Sequence, residues 1–411
     1  MRSPRRARTR ECVSAGGVNE RRDRPPLITL RFATVVASGI LYFLSIGVVI
    51  PAIPRFVKHR LDGGDLAVGI VVGALFVGAV VLRPLAGRIG DRYGRRLLVI
   101  GGAFTVGVSM LCYALADSIP ALVGARVITG VGEAAFFVGA ATMITDLAPV
   151  ERRGEAISYW SVAVYSGFAF GPALGEAVQR TWGYETLWYV AAGLGFTAAI
   201  VGTFTREVAR EKHEGPPGPL LNRKALGPGS VLFAGLIATA AFSAFVPLYA
   251  DDVGIEDVAI VFVVFGVLVL LIRVIGARIP DALGGARSGT VALTATAIGM
   301  AVMAVWGTAA GLMTGVVLFA IGQAFLYPAM LLLALEGTDD SERGSAVGTI
   351  SSCFDLSQGL GSLVVGGVAA LSSYRGTFAT GAVCSMLAVL LLWGRVVPRM
   401  TARARLANEV S

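Results

Sequence analysis

Charge is what this chain has least of. Asp, Glu, Lys and Arg make up 15% of its 411 residues, while 55% are hydrophobic; soluble domains carry about 25% charged residues. A soluble fold cannot cover so much apolar side chain with so few polar ones. Metal and disulfide chemistry also lack material. The two histidines, His59 and His213, lie far apart, and the four cysteines (Cys12, Cys112, Cys353 and Cys384) have no pairing or metal spacing. No GxxxxGK[ST] phosphate loop occurs, so nothing points to a nucleotide. With no histidine in an apolar run and no nucleophile–base pairing, an enzyme is not expected. The alternating segments of about ten residues that mark a membrane β-barrel are missing as well.

What is present is a set of long apolar runs, and they predict a polytopic all-α membrane protein. Twelve stretches approach the ~20 residues needed to cross ~30 Å of hydrocarbon. They are Leu30–Ile50, Val68–Leu85, Leu97–Ala116, Pro120–Leu147, Ile157–Val178, Leu187–Thr205, Ser230–Tyr249, Val258–Ile279, Gly289–Trp306, Gly311–Leu335, Ala346–Leu371 and Thr377–Trp393. Residues 206–229, charged and then rich in Pro and Gly, read as a linker between bundles at 30–205 and 230–393. Residues 1–29 hold eight arginines and no signal-peptide apolar core. They read as a disordered cytoplasmic tail; an over-extended start accounts for them as well as a lipid-binding arm does. Residues 394–411 form a second cytoplasmic tail.

The stretch Arg83–Arg96, RPLAGRIGDRYGRR, interrupts two apolar runs and reads as a tight turn at a membrane surface, with Gly87, Gly90 and Gly94 allowing the reversal. A weaker copy, RVIGARIPDALGGAR, begins 190 residues later at Arg273. The same offset aligns Asp91 with Asp281, Gly94 with Gly284, Glu133 with Gln323, Asp146 with Glu336 and Arg153 with Arg343. The chain is an internal duplication, and two six-helix halves of like orientation imply a pseudo-two-fold along the membrane normal. With both termini inside, 27 of the 35 Lys and Arg fall on the cytoplasmic side, five outside and three within spans. The net charge of +8 therefore sits in tails and loops as a topology signal, and no nucleic acid is expected.

Twelve spans in two such halves, with GRIGDRYGRR after the second, resemble the major facilitator superfamily from Leu30 to Trp393. The resemblance implies a conformational latch at Gly87, Asp91, Arg92, Gly94, Arg95 and Arg96. By that likeness Asp91 and Arg95 engage Asp146 and the start of the eleventh span, holding the cytoplasmic gate shut in the outward-facing state. The fifth span carries SGFAFGPALGE, similar to the motif of proton-driven exporters in Gly167, Gly171, Pro172 and Gly175, with Glu176 where a last glycine is usual. PAIP at Pro51 and Pro54 is similar to the twelve-helix drug:proton antiporter branch, although the first span lacks that branch's acid. What this implies is proton-coupled efflux of a small apolar or cationic compound by a monomer in the cell membrane, with no cofactor beyond the proton. A proton-coupled importer or metabolite transporter of the same fold shares almost every feature.

Charges within spans narrow the candidates, because an ionisable group in hydrocarbon costs several kcal/mol unless it faces a partner or a wet cavity. Arg126 and Glu133 lie seven apart on nearly one face of the fourth span, about 10 Å by helix rise. Glu133 is the leading proton carrier, a permanently paired structural charge being the alternative. Asp355 in the eleventh span could carry a proton, bind a cationic substrate or cap polar contacts between helices. Arg83 and Arg273, near span ends, read as snorkelling side chains of structural value. Tyr42, Phe136, Phe137, Phe242, Phe245, Tyr249, Gln323 and Tyr327 are expected to border a cavity suited to a flat apolar or cationic ligand.

Overall fold

The computed structural model describes residues 27–149, 152–205, 221–276, 279–336, 338 and 342–400. The fold is built of helices, and among the described residues there is no strand. The crossings are α1 (Leu30–Val49), α2 (Asp65–Tyr93), α3 (Arg95–Ala114), α4 (Ile119–Leu147), α7 (Leu226–Asp252), α8 (Ala259–Ile275), α9 (Gly285–Val305), α10 (Ala309–Leu335), α11 (Arg343–Leu371) and α12 (Tyr374–Leu391). Arg153–Thr203 is one helical run broken at Gly183, where φ is +80°. Its arms, 153–182 and 184–203, are α5 and α6. Twelve crossings therefore stand where twelve apolar stretches were read. The tail at 1–26, most of the linker (206–220) and residues 401–411 lie outside the described residues.

Large apolar side chains on the outer surface of the bundle remain uncovered, as hydrocarbon permits and water does not. Phe104 is 55% exposed and Leu387 55%, both well inside their helices. The sequence reading of Arg83–Arg96 as a loop needs correction. α2 stays helical to Tyr93 and α3 starts at Arg95, so the reversal falls on Gly94 alone, with φ +97°. Its repeat mate Gly284 has φ +78° between Ile279–Leu283, a short helix, and α9. No side chain is at ease in that left-handed conformation, which is why glycine stands at both turns. The arginines of this turn mark what we call the basic face; the other is the far face.

Two seams join the halves, α2 against α11 and α5 against α8. The 190-residue offset turns one seam into the other, and the register agrees. Gly359 on α11 meets Phe76 on α2, while Gly266 on α8 meets Ala169 on α5, each residue the repeat mate of another in the set. The halves are joined unevenly along the membrane normal. One apolar core runs from the N-terminal half into the far-face part of the C-terminal half, through Val68, Val71, Val246, Leu248 and Val365. The basic-face part of the C-terminal half has a core of its own around Leu293, Leu326 and Met330. The far mouth is thus shut, and the halves part toward the basic face.

Close helix approach at the far side needs glycine. A Cβ on Gly69 of α2 would lie 2.3 Å from the Ser362 carbonyl oxygen of α11. The expected motif of the fifth span acts within one half: Gly167, Gly171 and Gly175 lie on the backbone of α1 at Phe43, Gly47 and Val48. Pro172 sits inside the same helix.

Candidate functional site

The two acids singled out in the sequence meet on one base. Arg83 of α2 donates from its terminal nitrogen to Glu133 of α4 at 2.9 Å and to Asp355 of α11 at 3.0 Å. Its Nε also lies 2.5 Å from the second oxygen of Asp355. Asp355 is 1% exposed, so this is a buried ion triad that crosses between the halves. The guanidinium further lies 5.1 Å from the ring centroid of Phe137, a cation–π contact on α4. By helix rise, Glu133 stands ~21 Å from the far end of α4 and Asp355 ~18 Å from the basic end of α11, near the middle of the membrane.

Arg83 was read from the sequence as a snorkelling structural residue, and that is corrected. Its position near the end of an apolar run made escape to the surface look cheap. However, α2 continues for ten residues beyond it, so the side chain has no nearby water and turns inward. The signal available was that two intramembrane acids need a cation, and Arg83 is one of three arginines within spans. Arg126, named with Glu133 for proton coupling and read two turns from it, is bound to backbone. Its Nε and a terminal nitrogen donate to the Val71 and Val72 carbonyls of α2, each at 3.1 Å. Tyr113 and Thr129 continue that cluster through hydroxyl contacts, with Ser109 beyond them. Arg126 ties α4 to α2 and touches no acid among the described residues.

The repeat mate of this triad is nearly charge-free. Arg273 of α8 corresponds to Arg83, Tyr165 of α5 to Asp355, and Gln323 of α10 to Glu133. Arg273 lies 4.5 Å from the Tyr165 ring centroid, repeating the cross-half relation with an aromatic face in place of a carboxylate. Its Nε has no hydrogen-bond acceptor, and neither Gln323 Nε2 nor Gln358 Oε1 has a partner. Gln323 accepts from Thr239 at 2.9 Å through its oxygen, and the Tyr327 hydroxyl lies 3.3 Å from Ser351.

Most of the other expected cavity aromatics are engaged in packing. Tyr42 and Phe136 stack at 3.8 Å, both fully buried, although the Tyr42 hydroxyl lacks a partner. Phe242 stacks on Phe319, Phe245 on Tyr374, and the Tyr249 hydroxyl donates to the Met303 carbonyl at 3.2 Å. Phe137 lies against the Arg83 guanidinium. At the expected latch, Arg95 forms an ion pair with Asp146 at the basic end of α4, and Arg96 donates to the Thr203 carbonyl at 2.6 Å. Arg92 lies against its neighbour Tyr93, Gly87 faces open space, and the Asp91 side chain lies outside the described residues.

A second ionic cluster, not foreseen, closes the far mouth. Arg55, in the short helix Ala52–His59 after α1, donates to both oxygens of Glu176 on α5 at 3.0 and 2.9 Å. It also pairs with Asp251 at the far end of α7, in the other half. Asp65 of α2 accepts from Lys58 at 2.8 Å and from the Tyr374 hydroxyl of α12 at 3.3 Å. The signal was Glu176 itself, an acid where the resembling motif ends in glycine.

Comparison with known proteins agrees with this architecture. The model of the Major Facilitator Superfamily matches residues 35–319 and, overlapping, 229–409. An uncharacterized MFS-type transporter of Salmonella typhimurium is 28% identical over 372 residues, covering 86% of this chain and 93% of the relative. Among solved structures, the human organic anion transporter MFSD10 superposes with a TM-score of 0.70 at 18% identity, covering 90% of this chain and all of that one. The POT family transporter PepTSo gives a TM-score of 0.75 at 14% identity over 90% of this chain and 98% of its own. At those identities the likeness is one of fold.

Proposed function

This chain belongs to the Major Facilitator Superfamily, and we propose that it is a proton-coupled antiporter exporting a small apolar or cationic compound by alternating access. The observation that carries the reading is Arg83, held between Glu133 of its own half and Asp355 of the other. With the far mouth shut, the guanidinium ties α2 to α11. Substrate entering from the basic face displaces Arg83 from an acid, a cation doing so by direct competition. The tie between halves loosens, the Arg55–Asp251 contact breaks and the far mouth opens. A proton arriving from the far side neutralises the vacated carboxyl, and its loss toward the basic face restores the triad. The two acids share one base, so the pair rather than either acid alone is the proposed carrier.

The orientation we propose places the basic face and both termini in the cytoplasm, following the positive-inside rule, in a cell membrane. Export rather than import is supported by the Gly167, Gly171, Pro172, Gly175 face on α1. A second reading, a substrate bearing a negative group, is favoured by one observation: the Arg273 Nε without an acceptor. The test is a proton-flux assay in proteoliposomes, with a compound panel and an imposed pH gradient. Antiport requires substrate and protons to move in opposite directions, and Glu133→Gln and Asp355→Asn to uncouple them. Substrate moving with the protons ends the proposal, as does unaltered coupling in both variants.

A further inference from the structure

Away from the triad, on the basic face of the C-terminal half, lies a cavity of about 380 Å³ between the start of α7 and the end of α12. Its wall has two chemistries. Arg223, Lys224, Arg395 and Arg399 supply cations, while Leu226, Leu391, Val396 and Met400 supply apolar surface. The segment entering α7 is fixed. The Asn222 backbone N–H donates to Thr349 at 2.8 Å, and the Asn222 side chain accepts from the Lys224 N–H at 2.8 Å. Arg395 lies in a π-helical turn, Leu392–Val396, that widens the end of α12, and Arg399 follows one turn on. The first N–H groups of α7, at Leu226 and Gly227, border the same cavity and have no partners within the helix.

Charge is not balanced here. The neighbouring acid, Glu342, pairs with Lys224 at 3.3 Å, while Arg223, Arg395 and Arg399 have no ion pair among the described residues. The depth is that of lipid headgroups. Trp393 donates its indole N–H to Thr290 at 2.8 Å and is 47% exposed, as aromatic anchors at a membrane interface are. An excess of three guanidinium groups at that depth, beside an apolar wall, matches one ligand chemistry: a phosphate carrying acyl chains.

We propose that this cavity is a binding site for one anionic phospholipid, its phosphate held by Arg223, Arg395 and Arg399 and the top of an acyl chain lying along Leu226, Val396 and Met400. A free phosphate uses the cations but leaves the apolar wall bare; a zwitterionic lipid brings its own ammonium against them. A bound lipid would bridge α7 and α12.

The test is native mass spectrometry of the full chain released from detergent, with phosphatidylglycerol, phosphatidylethanolamine or inorganic phosphate added. Each arginine near an anionic surface contributes about fivefold in affinity, so Arg395→Gln with Arg399→Gln should weaken phosphatidylglycerol retention about 25-fold. Arg395→Lys with Arg399→Lys keeps the charge and should retain most of it, which separates binding from misfolding; thermal unfolding of each variant is measured alongside. Equal retention of the two lipids by the wild type overturns the proposal. So does unchanged phosphatidylglycerol retention in the double Gln variant, or inorganic phosphate displacing the lipid completely at equal concentration.

Discussion

Arg83 and Arg273 occupy equivalent places in the two halves and have opposite surroundings. The first is held by two carboxylates; the second lies on a tyrosine ring beside a glutamine. A duplicated chain begins with two copies of one interface, and among the described residues only the α2–α11 copy pairs its arginine with acids. The α5–α8 copy keeps the geometry, through Gly266 on Ala169, with an aromatic face where the acid would be. Both seams are packed through glycine, but only an ionic contact can be broken by a proton. On the proposed mechanism, switching therefore falls to the α2–α11 seam and the pivot to α5–α8.

The sharpest way to break that comparison is to remove each arginine. Arg83→Gln leaves two buried acids without a cation, and loss of one partner of a buried pair costs about 3–5 kcal/mol. Arg273→Gln gives up a cation–π contact worth about 0.5–2 kcal/mol. Thermal unfolding in detergent should therefore fall far more for Arg83→Gln, and proton flux should vanish only there. Equal losses would mean the seams are not differentiated.

Next in size is the choice of acid. Asp355→Asn cuts the cross-half arm and leaves Arg83 on Glu133, whereas Glu133→Gln leaves the cross-half arm intact. With Asp65→Cys and Tyr374→Cys reporting on the far mouth, disulfide formation should drop severalfold in Asp355→Asn and change little in Glu133→Gln. A third contrast concerns the pivot. A Cβ on Gly266 would lie 2.5 Å from the Ala169 backbone, but one on Gly359 would lie 3.4 Å from the Phe76 Cβ and 3.7 Å from the Gly73 carbonyl oxygen. Gly266→Ala should cost about 1–3 kcal/mol by overpacking, while Gly359→Ala should be near neutral in the same unfolding assay.

Much of this architecture was legible in the residues because bilayers impose one-dimensional rules. Apolar runs of about 20 residues gave the crossings, and the charged matches at 190 residues gave the duplication. Glu133 and Asp355 stood out because a carboxylate in hydrocarbon is costly wherever it points. What was not legible was partnership across the halves. Arg83 and Asp355 are 272 residues apart, and nothing in either span says which helix faces it. Arg126 misled for the same reason: helical spacing put it on the face of Glu133, but backbone carbonyls of α2 satisfy it first. The aromatics were read by composition alone, which cannot tell a cavity wall from rings stacked on one another, as Tyr42 is on Phe136.

The smallest effect, and the finest test of equivalence, comes from giving the second seam the acid it lacks. Tyr165→Asp places a carboxyl on α5 at the position that Asp355 holds on α11, within reach of the Arg273 guanidinium now 4.5 Å from the ring centroid. A cation–π contact is exchanged for an ion pair, so unfolding should shift by no more than about 1 kcal/mol. The far mouth should respond more than stability does, because a second ionic tie now joins the halves. Introduced into Asp355→Asn, Tyr165→Asp should recover a good part of the lost disulfide formation between positions 65 and 374. No recovery would mean that α5 and α8 do not move as α2 and α11 do, and that the duplication preserved a register without preserving a mechanism.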